Sequence, residues 1–109
     1  MNGFPYNLNT LKIENCNISK QTTYGLVCAL KQRNYVRVLS LVGLSFSAES
    51  IAILCSLLEK RNFIEELDLS NNRIEPKLFH PLLESLSKVR QMKSLSIAWN
   101  LLLQKAQPP

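Results

Sequence analysis

Glycine is scarce in this chain. Three in 109 residues, standing apart at Gly3, Gly25 and Gly43, make no phosphate-binding loop, which needs several close together so that backbone N–H groups can approach an anion. Histidine is scarcer. The single one, His80, has no second histidine or cysteine at ligand spacing, so neither a metal site nor a Cys–His nucleophile is written into the sequence. Cys16, Cys28 and Cys55 are odd in number and share no metal-ligand spacing, and free thiols in a reducing compartment are the expectation. No apolar run reaches the roughly 18 to 20 residues of a membrane-spanning helix. The opening MNGFPYNLNT has neither the basic start nor the apolar stretch of a signal peptide. The net charge of +5 is not gathered into a Lys/Arg cluster of nuclear-targeting or nucleic-acid-arm type. These absences turn the reading toward a cytoplasmic protein with no cofactor and no membrane or nucleic-acid partner.

What the chain has in quantity is apolar side chains in strict order. They make up 46% of residues against 19% charged, the balance of one small folded domain. In IEELDLSNNRI, residues 64–74, Leu67 and Leu69 alternate with Glu66, Asp68 and Ser70 as in a half-buried strand. The spaced pattern Ile64, Leu67, Leu69, Asn72, Ile74 recurs 28 residues earlier as Val36, Leu39, Leu41, Leu44, Phe46. It recurs again as Leu8, Leu11, Ile13, Cys16, Ile18, and 28 residues later as Met92, Leu95, Ile97, Asn100, Leu102. Between these segments Leu26, Leu54 and Leu82 are in phase, as are Val27, Cys55 and Leu83, and Leu30, Leu58 and Leu86. That is the i, i+1, i+4 stripe of an amphipathic helix. Each period is one short strand and one helix, with strands expected near residues 10–14, 38–42, 66–70 and 94–98. A helical return between strands makes them parallel.

L-x-x-L-x-L-x-x-N-x-L at this period resembles the leucine-rich repeat. The helical second half resembles the ribonuclease-inhibitor-like subclass, which includes tropomodulin, the Ran GTPase-activating protein and the sensor arrays of NOD-like receptors. The resemblance covers residues 8–103, with repeats starting at 8, 36, 64 and 92, an N-terminal extension at 1–7 and a tail at 104–109. It implies an α/β leucine-rich-repeat solenoid of about 3.5 repeats, with a parallel concave sheet and convex helices. Many members carry a Gly-Ala pair early in the helix, where this chain has Thr22-Thr23, Ser50-Ile51 and Leu78-Phe79.

Individual positions carry further expectations. Asn72 and Asn100 stand where the backbone leaves the strand, and a buried amide there can serve polar groups on both sides. Leucine cannot, so the asparagine ladder should break at Leu44. Cys16 and Cys55 sit at inward positions and read as core, whereas Cys28 should be partly exposed. Ser19 and Ser47 read as helix N-caps, with Glu75 and then Pro76 in the third place. Pro81 removes a backbone donor, so that helix should become regular only near Leu82. Asn34 and Asn62 should end the first two helices in the left-handed conformation. No polar cap flanks either end, so the chain reads as a section of a longer array or a subunit with partner-covered ends. The alternative is that Phe4 and Tyr6 fold over one end and the apolar run 101–103 over the other.

Charge marks two candidate surfaces. On the concave face Arg37, Glu65 and Lys93 are in phase, forming either a salt-bridge ladder or a charged stripe for a partner. Glu65, Glu66 and Asp68 share one strand, but an open sheet lacks the cleft in which catalytic carboxylates are pushed apart in pKa. Trp99, in phase with Asn15, Gly43 and Asn71, is expected at the rim, as a binding anchor or as a makeshift cap. A partner is expected across Arg37, Glu66, Asp68, Lys93 and Trp99. The second surface is basic: Lys31 and Arg33, Lys60 and Arg61, Lys88 and Arg90 close the three helices. They either complement helix dipoles or form an edge for an acidic protein tail or RNA. The expected function is a non-enzymatic scaffold within a larger cytoskeletal or ciliary assembly. Protein partners are expected on the concave face and at the solenoid ends. The alternative is a regulatory array as in NOD-like receptors or GTPase regulators.

Overall fold

The period sets where strands and helices form. The structure, a computed structural model, describes residues 9–33 and 35–97. Within them the chain runs β1 (Thr10–Glu14), α1 (Lys20–Gln32), β2 (Val38–Val42), α2 (Ala48–Glu59), β3 (Glu66–Asp68), α3 (Pro76–Leu86) and β4 (Ser94–Ser96). The strands form one parallel sheet in chain order. Leu11 lies opposite Leu39, Leu39 opposite Leu67, and Leu67 opposite Leu95, so the register is the sequence period itself. β3 and β4 end earlier than the pattern predicts. In β3 the Asp68 carboxylate accepts the Ser70 N–H at 3.0 Å, a local bond that diverts this donor from the ladder.

Each helix starts as its cap directs. Ser19 Oγ accepts from the Thr22 N–H and Ser47 Oγ from the Ser50 N–H, both at 3.1 Å. At α3 the Glu75 side chain makes no cap bond and Pro76 opens the helix. Contrary to the expectation of an irregular start, α3 is helical through Pro81. Pro81 and Lys77 both lie on the exposed side, so the carbonyl that Pro81 leaves without a donor meets water. Asn62 is likewise not left-handed. The described non-glycine residues with positive φ are Asn15, Asn71 and Arg73, and Gly43 joins them. Asn62 instead ends α2 through its side chain, donating to Leu58 O at 3.0 Å and Lys60 O at 2.9 Å and accepting from the Ile64 N–H at 3.1 Å. Asn34 lies outside the described residues.

One face of the sheet and the facing sides of the helices form the core. Leu39, Leu41, Leu67 and Leu69 are buried in one cluster with Leu54, Leu57, Leu58, Phe79 and Leu82, while α1 packs on α2 and α2 on α3. Burial along each in-phase set shows which way it faces. Leu26, Leu54 and Leu82 are half-buried, buried and buried, so this position faces the preceding helix. Val27, Cys55 and Leu83 fall from buried to half-buried to exposed, so this one faces the following helix. Leu83 departs from the predicted stripe because, among the described residues, no helix follows α3.

Cys16 departs for the mirror-image reason. It was expected in the core and is exposed, whereas Leu44 and Asn72, in phase with it, are buried. That position faces the preceding strand, and no strand precedes β1 among the described residues. Cys55 packs against the core and Cys28 is partly exposed. Asn72 behaves as the ladder argument predicts. Its amide nitrogen donates to Leu41 O at 2.6 Å and Leu69 O at 3.1 Å, and its oxygen accepts from the Leu44 N–H at 2.7 Å.

Candidate functional site

The sheet face turned away from the helices carries no covering element among the described residues. Pairing register places its side chains in rows: Thr10, Val38, Glu66 and Ser94, then Lys12, Ser40, Asp68 and Ser96. All of these but Thr10 border a shallow hollow of about 160 Å³, which Glu14 also lines. The Ser40 hydroxyl donates to Glu14 Oε2 at 2.6 Å. This bond across strands buries Ser40 and holds the Glu14 carboxylate over β2. Ser70 and Ser96 hydroxyls meet at 2.7 Å. Three carboxylates against one lysine make this face acidic on a chain of net charge +5.

A second row stands where the strands begin. The carbonyls of Asn9, Arg37 and Glu65 each accept two N–H groups from the next strand's entry. Asn9 O takes Arg37 and Val38, both at 2.9 Å; Arg37 O takes Glu65 and Glu66 at 2.7 and 3.0 Å; Glu65 O takes Lys93 and Ser94 at 2.6 and 3.1 Å. The backbone thus fixes Arg37, Glu65 and Lys93 side by side. Only half of the expected ladder forms. Lys93 Nζ lies 3.5 Å from Glu65 Oε1, while Arg37 is exposed and makes no ion pair among the described residues.

The predicted partner residues therefore divide. Glu66 and Asp68 meet in the hollow. Arg37 and Lys93 stand at the strand-entry rim and do not line it, because their places precede the first paired residue of each strand. Trp99 lies outside the described residues; Asn15, Gly43 and Asn71, in phase with it, share the left-handed conformation. Alternation along β1 puts Glu14 on this face, but its bond to Ser40 does not follow from alternation. Both are outward positions of paired strands, and their proximity was readable only once the register was known.

At the opposite end of the strands, those left-handed turns border a polar depression of about 410 Å³ with Arg73 at its margin. Among the described residues no three of His, Cys, Asp and Glu converge as metal ligands, and His80 is exposed. No described helix is long and apolar enough to cross a membrane. The open sheet offers a broad, rigid, hydrogen-bonding surface with acidic groups at fixed spacing, a geometry suited to contact with another macromolecule.

No protein-family model matches the sequence, and no curated protein matches it. Among solved structures, leiomodin-1 actin-binding site 2 (ABS2) superposes with a TM-score of 0.74 at 16% sequence identity. The match covers 85% of this chain and 54% of that one, so the chain spans about half the length of the leiomodin structure. At that identity the likeness is one of fold.

Proposed function

We propose that this chain is a leucine-rich-repeat array of the ribonuclease-inhibitor-like subclass, a solenoid of about 3.5 repeats. It acts without enzymatic activity as a protein-binding module of a cytoplasmic, cytoskeletal assembly, and actin is the first partner to test. The observation that carries this reading is the open sheet face, where Glu14, Glu66 and Asp68 surround a hollow too shallow to enclose a small molecule. Such a face suits a partner that is itself large, because the sheet lends it a fixed pattern of charges over several strands. The fold shared with leiomodin-1 actin-binding site 2 supports the cytoskeletal choice and actin in particular. It lends nothing to a ciliary assembly, to a sensor array of the NOD-like type or to a GTPase regulator.

The test is titration of the labelled chain with actin monomers and with filaments, read by anisotropy and co-sedimentation. The variant Glu66→Lys/Asp68→Asn, which changes the charge of the open face and keeps an acceptor for the Ser70 N–H, is the comparison. Saturable binding of the native chain that the double variant weakens at least tenfold is the expected result. Binding by neither form, or equal binding by both, removes actin and this face respectively from the reading.

A further inference from the structure

We propose a second interaction surface, at the end of the sheet where the strands begin, that takes an acidic polypeptide segment carrying apolar side chains. Because the strands are parallel and in chain order, the connections entering β2, β3 and β4, with described residues 33, 35–37, 60–65 and 87–93, lie side by side at that end. A single exposed apolar side chain is ordinary, and only neighbouring ones that add up to a patch are informative. Two are here: Tyr35 is 52% exposed and Phe63 44%. They occupy the same place in successive connections, which lead into strands spaced about 4.8 Å apart, so one partner segment can use both rings as a small apolar platform.

The charges around that platform are unanswered. Arg33 and Arg37 flank Tyr35 in the chain, Lys31 lies in the last turn of α1, and Lys60 caps α2. None of these four forms an ion pair among the described residues. Helix-dipole complementation accounts for Lys31 in the last turn of α1 and for Arg33 and Lys60 at the C-caps of α1 and α2, but not for Arg37, which lies beyond the helix end. The third connection differs in its apolar place and in its lysines, though not in Arg90, which is exposed and unpaired among the described residues. Its place in phase with Tyr35 and Phe63 is Gln91, whose amide donates to Asn62 O at 3.1 Å and Asn62 Oδ1 at 2.7 Å. Its lysines are engaged: Lys88 lies 3.5 Å from Glu59 and Lys93 3.5 Å from Glu65.

The exposed rings coincide with open cations on the first two connections and stop at the third, where both lysines are paired and Arg90 alone stays open among the described residues. Charge complementarity selects a carboxylate-bearing occupant. The guanidinium forks of Arg33 and Arg37 suit carboxylates in the paired geometry that arginine prefers, and the rings give apolar side chains a place to pack. An extended segment alternates its side chains and can present both at once. Single-stranded nucleic acid fits less well. A backbone track of about 4 nucleotides or more would run from the platform onto Glu59 and Glu65, and the stacking surface ends after two rings.

The experiment uses the full chain and three fluorescent probes: a short peptide alternating glutamate with phenylalanine, a polyglutamate of equal length, and a single-stranded oligonucleotide. Anisotropy is read at low and high salt. The alternating peptide is expected to bind best. About tenfold weakening is expected from Phe63→Ser and from Arg33→Glu, and high salt should weaken the interaction further. Lys77→Glu, the same reversal on the exposed start of α3, and Glu66→Lys, at the open face, are expected to leave binding of this probe unchanged. This arm therefore stands or falls separately from the actin reading. Tighter binding of the oligonucleotide, with the same losses on Phe63→Ser, would make this a nucleic-acid surface and overturn the proposal. Equal loss in Lys77→Glu, or no probe binding above that variant, would reduce it to general charge attraction and overturn it equally.

Discussion

The backbone N–H of Leu44 donates to the side-chain oxygen of Asn72, 28 residues later, at 2.7 Å. One amide thereby serves two levels of the sheet, since its nitrogen also reaches Leu41 O and Leu69 O. Leu44 occupies the same place one period earlier and has no polar side chain, so the backbone there depends on its neighbour. Asn72→Leu would keep the volume and remove the bonds that the amide makes to three buried backbone groups. A loss of about 2–4 kcal/mol is expected, read as a fall in the urea midpoint with an unchanged m value. A loss below about 0.5 kcal/mol would mean that water or relaxation replaces the amide.

Leu67 and Leu95 pair across β3 and β4 and stand at identical places in the period, yet the first is 2% exposed and the second 42%. Identical truncations should therefore differ. Leu67→Ala is expected to cost about 2–5 kcal/mol through lost burial and the cavity left behind, and Leu95→Ala less than about 1 kcal/mol. Leu69→Asp should prevent folding, because an unpaired carboxylate would enter the core. Equal costs at Leu67 and Leu95 would show that Leu95 is covered in solution.

Most of the architecture was legible in the sequence, because one spacing fixed both the elements and their register. Leu39, Leu67 and Leu95 could be aligned before any coordinate was known. The caps at Ser19 and Ser47 were equally readable, since capping is local. What was not legible depends on neighbours. The pattern places Cys16 and Leu83 inward, but burial also needs an adjacent coil on the correct side. At the candidate site, outward positions such as Glu66 and Asp68 followed from alternation. The Glu14–Ser40 bond did not, and neither did the failure of Arg37 to join Glu65 and Lys93. Side-chain reach and rotamer choice decide such contacts, and periodicity carries no information on them. The exposure of Tyr35 and Phe63 had a signal, their identical phase, that the apolar template does not use.

The two described glycines should respond to alanine in opposite directions. Gly43 has φ +71 and a Cβ there would strike the Asn15 side chain, so Gly43→Ala combines a left-handed penalty with a clash. A loss of about 1–3 kcal/mol is expected. Gly25 lies inside α1, and a Cβ there meets nothing within 4 Å. Gly25→Ala should gain about 0.5–1 kcal/mol by reducing the freedom of the unfolded chain and favouring helix. Thermal unfolding of the pair checks both signs. A stabilised Gly43→Ala would contradict the left-handed turn after β2.

Glu59 gives the chain a pH dependence whose sign is fixed by its partners. The Ser85 hydroxyl donates to Glu59 Oε2 at 2.7 Å, and Lys88 Nζ lies 3.5 Å from Oε1. Both hold the carboxyl below its usual pKa, the hydroxyl more than the lysine. A depressed folded value means that the unfolded chain takes up the proton first as pH falls. The contribution is therefore complete above the ordinary glutamate range and disappears as pH drops through the folded value. Glu59→Gln should lower the urea midpoint at neutral pH, and the gap from the native chain should close on acidification. Salt should shrink only part of the gap, because the lysine attraction is screened at an exposed site while the short hydroxyl bond is not. A gap that widens on acidification would reverse the sign and show that Glu59 is held in its protonated form. If Lys88→Met removes the whole gap and Ser85→Ala none of it, the lysine, not the serine, is the principal partner.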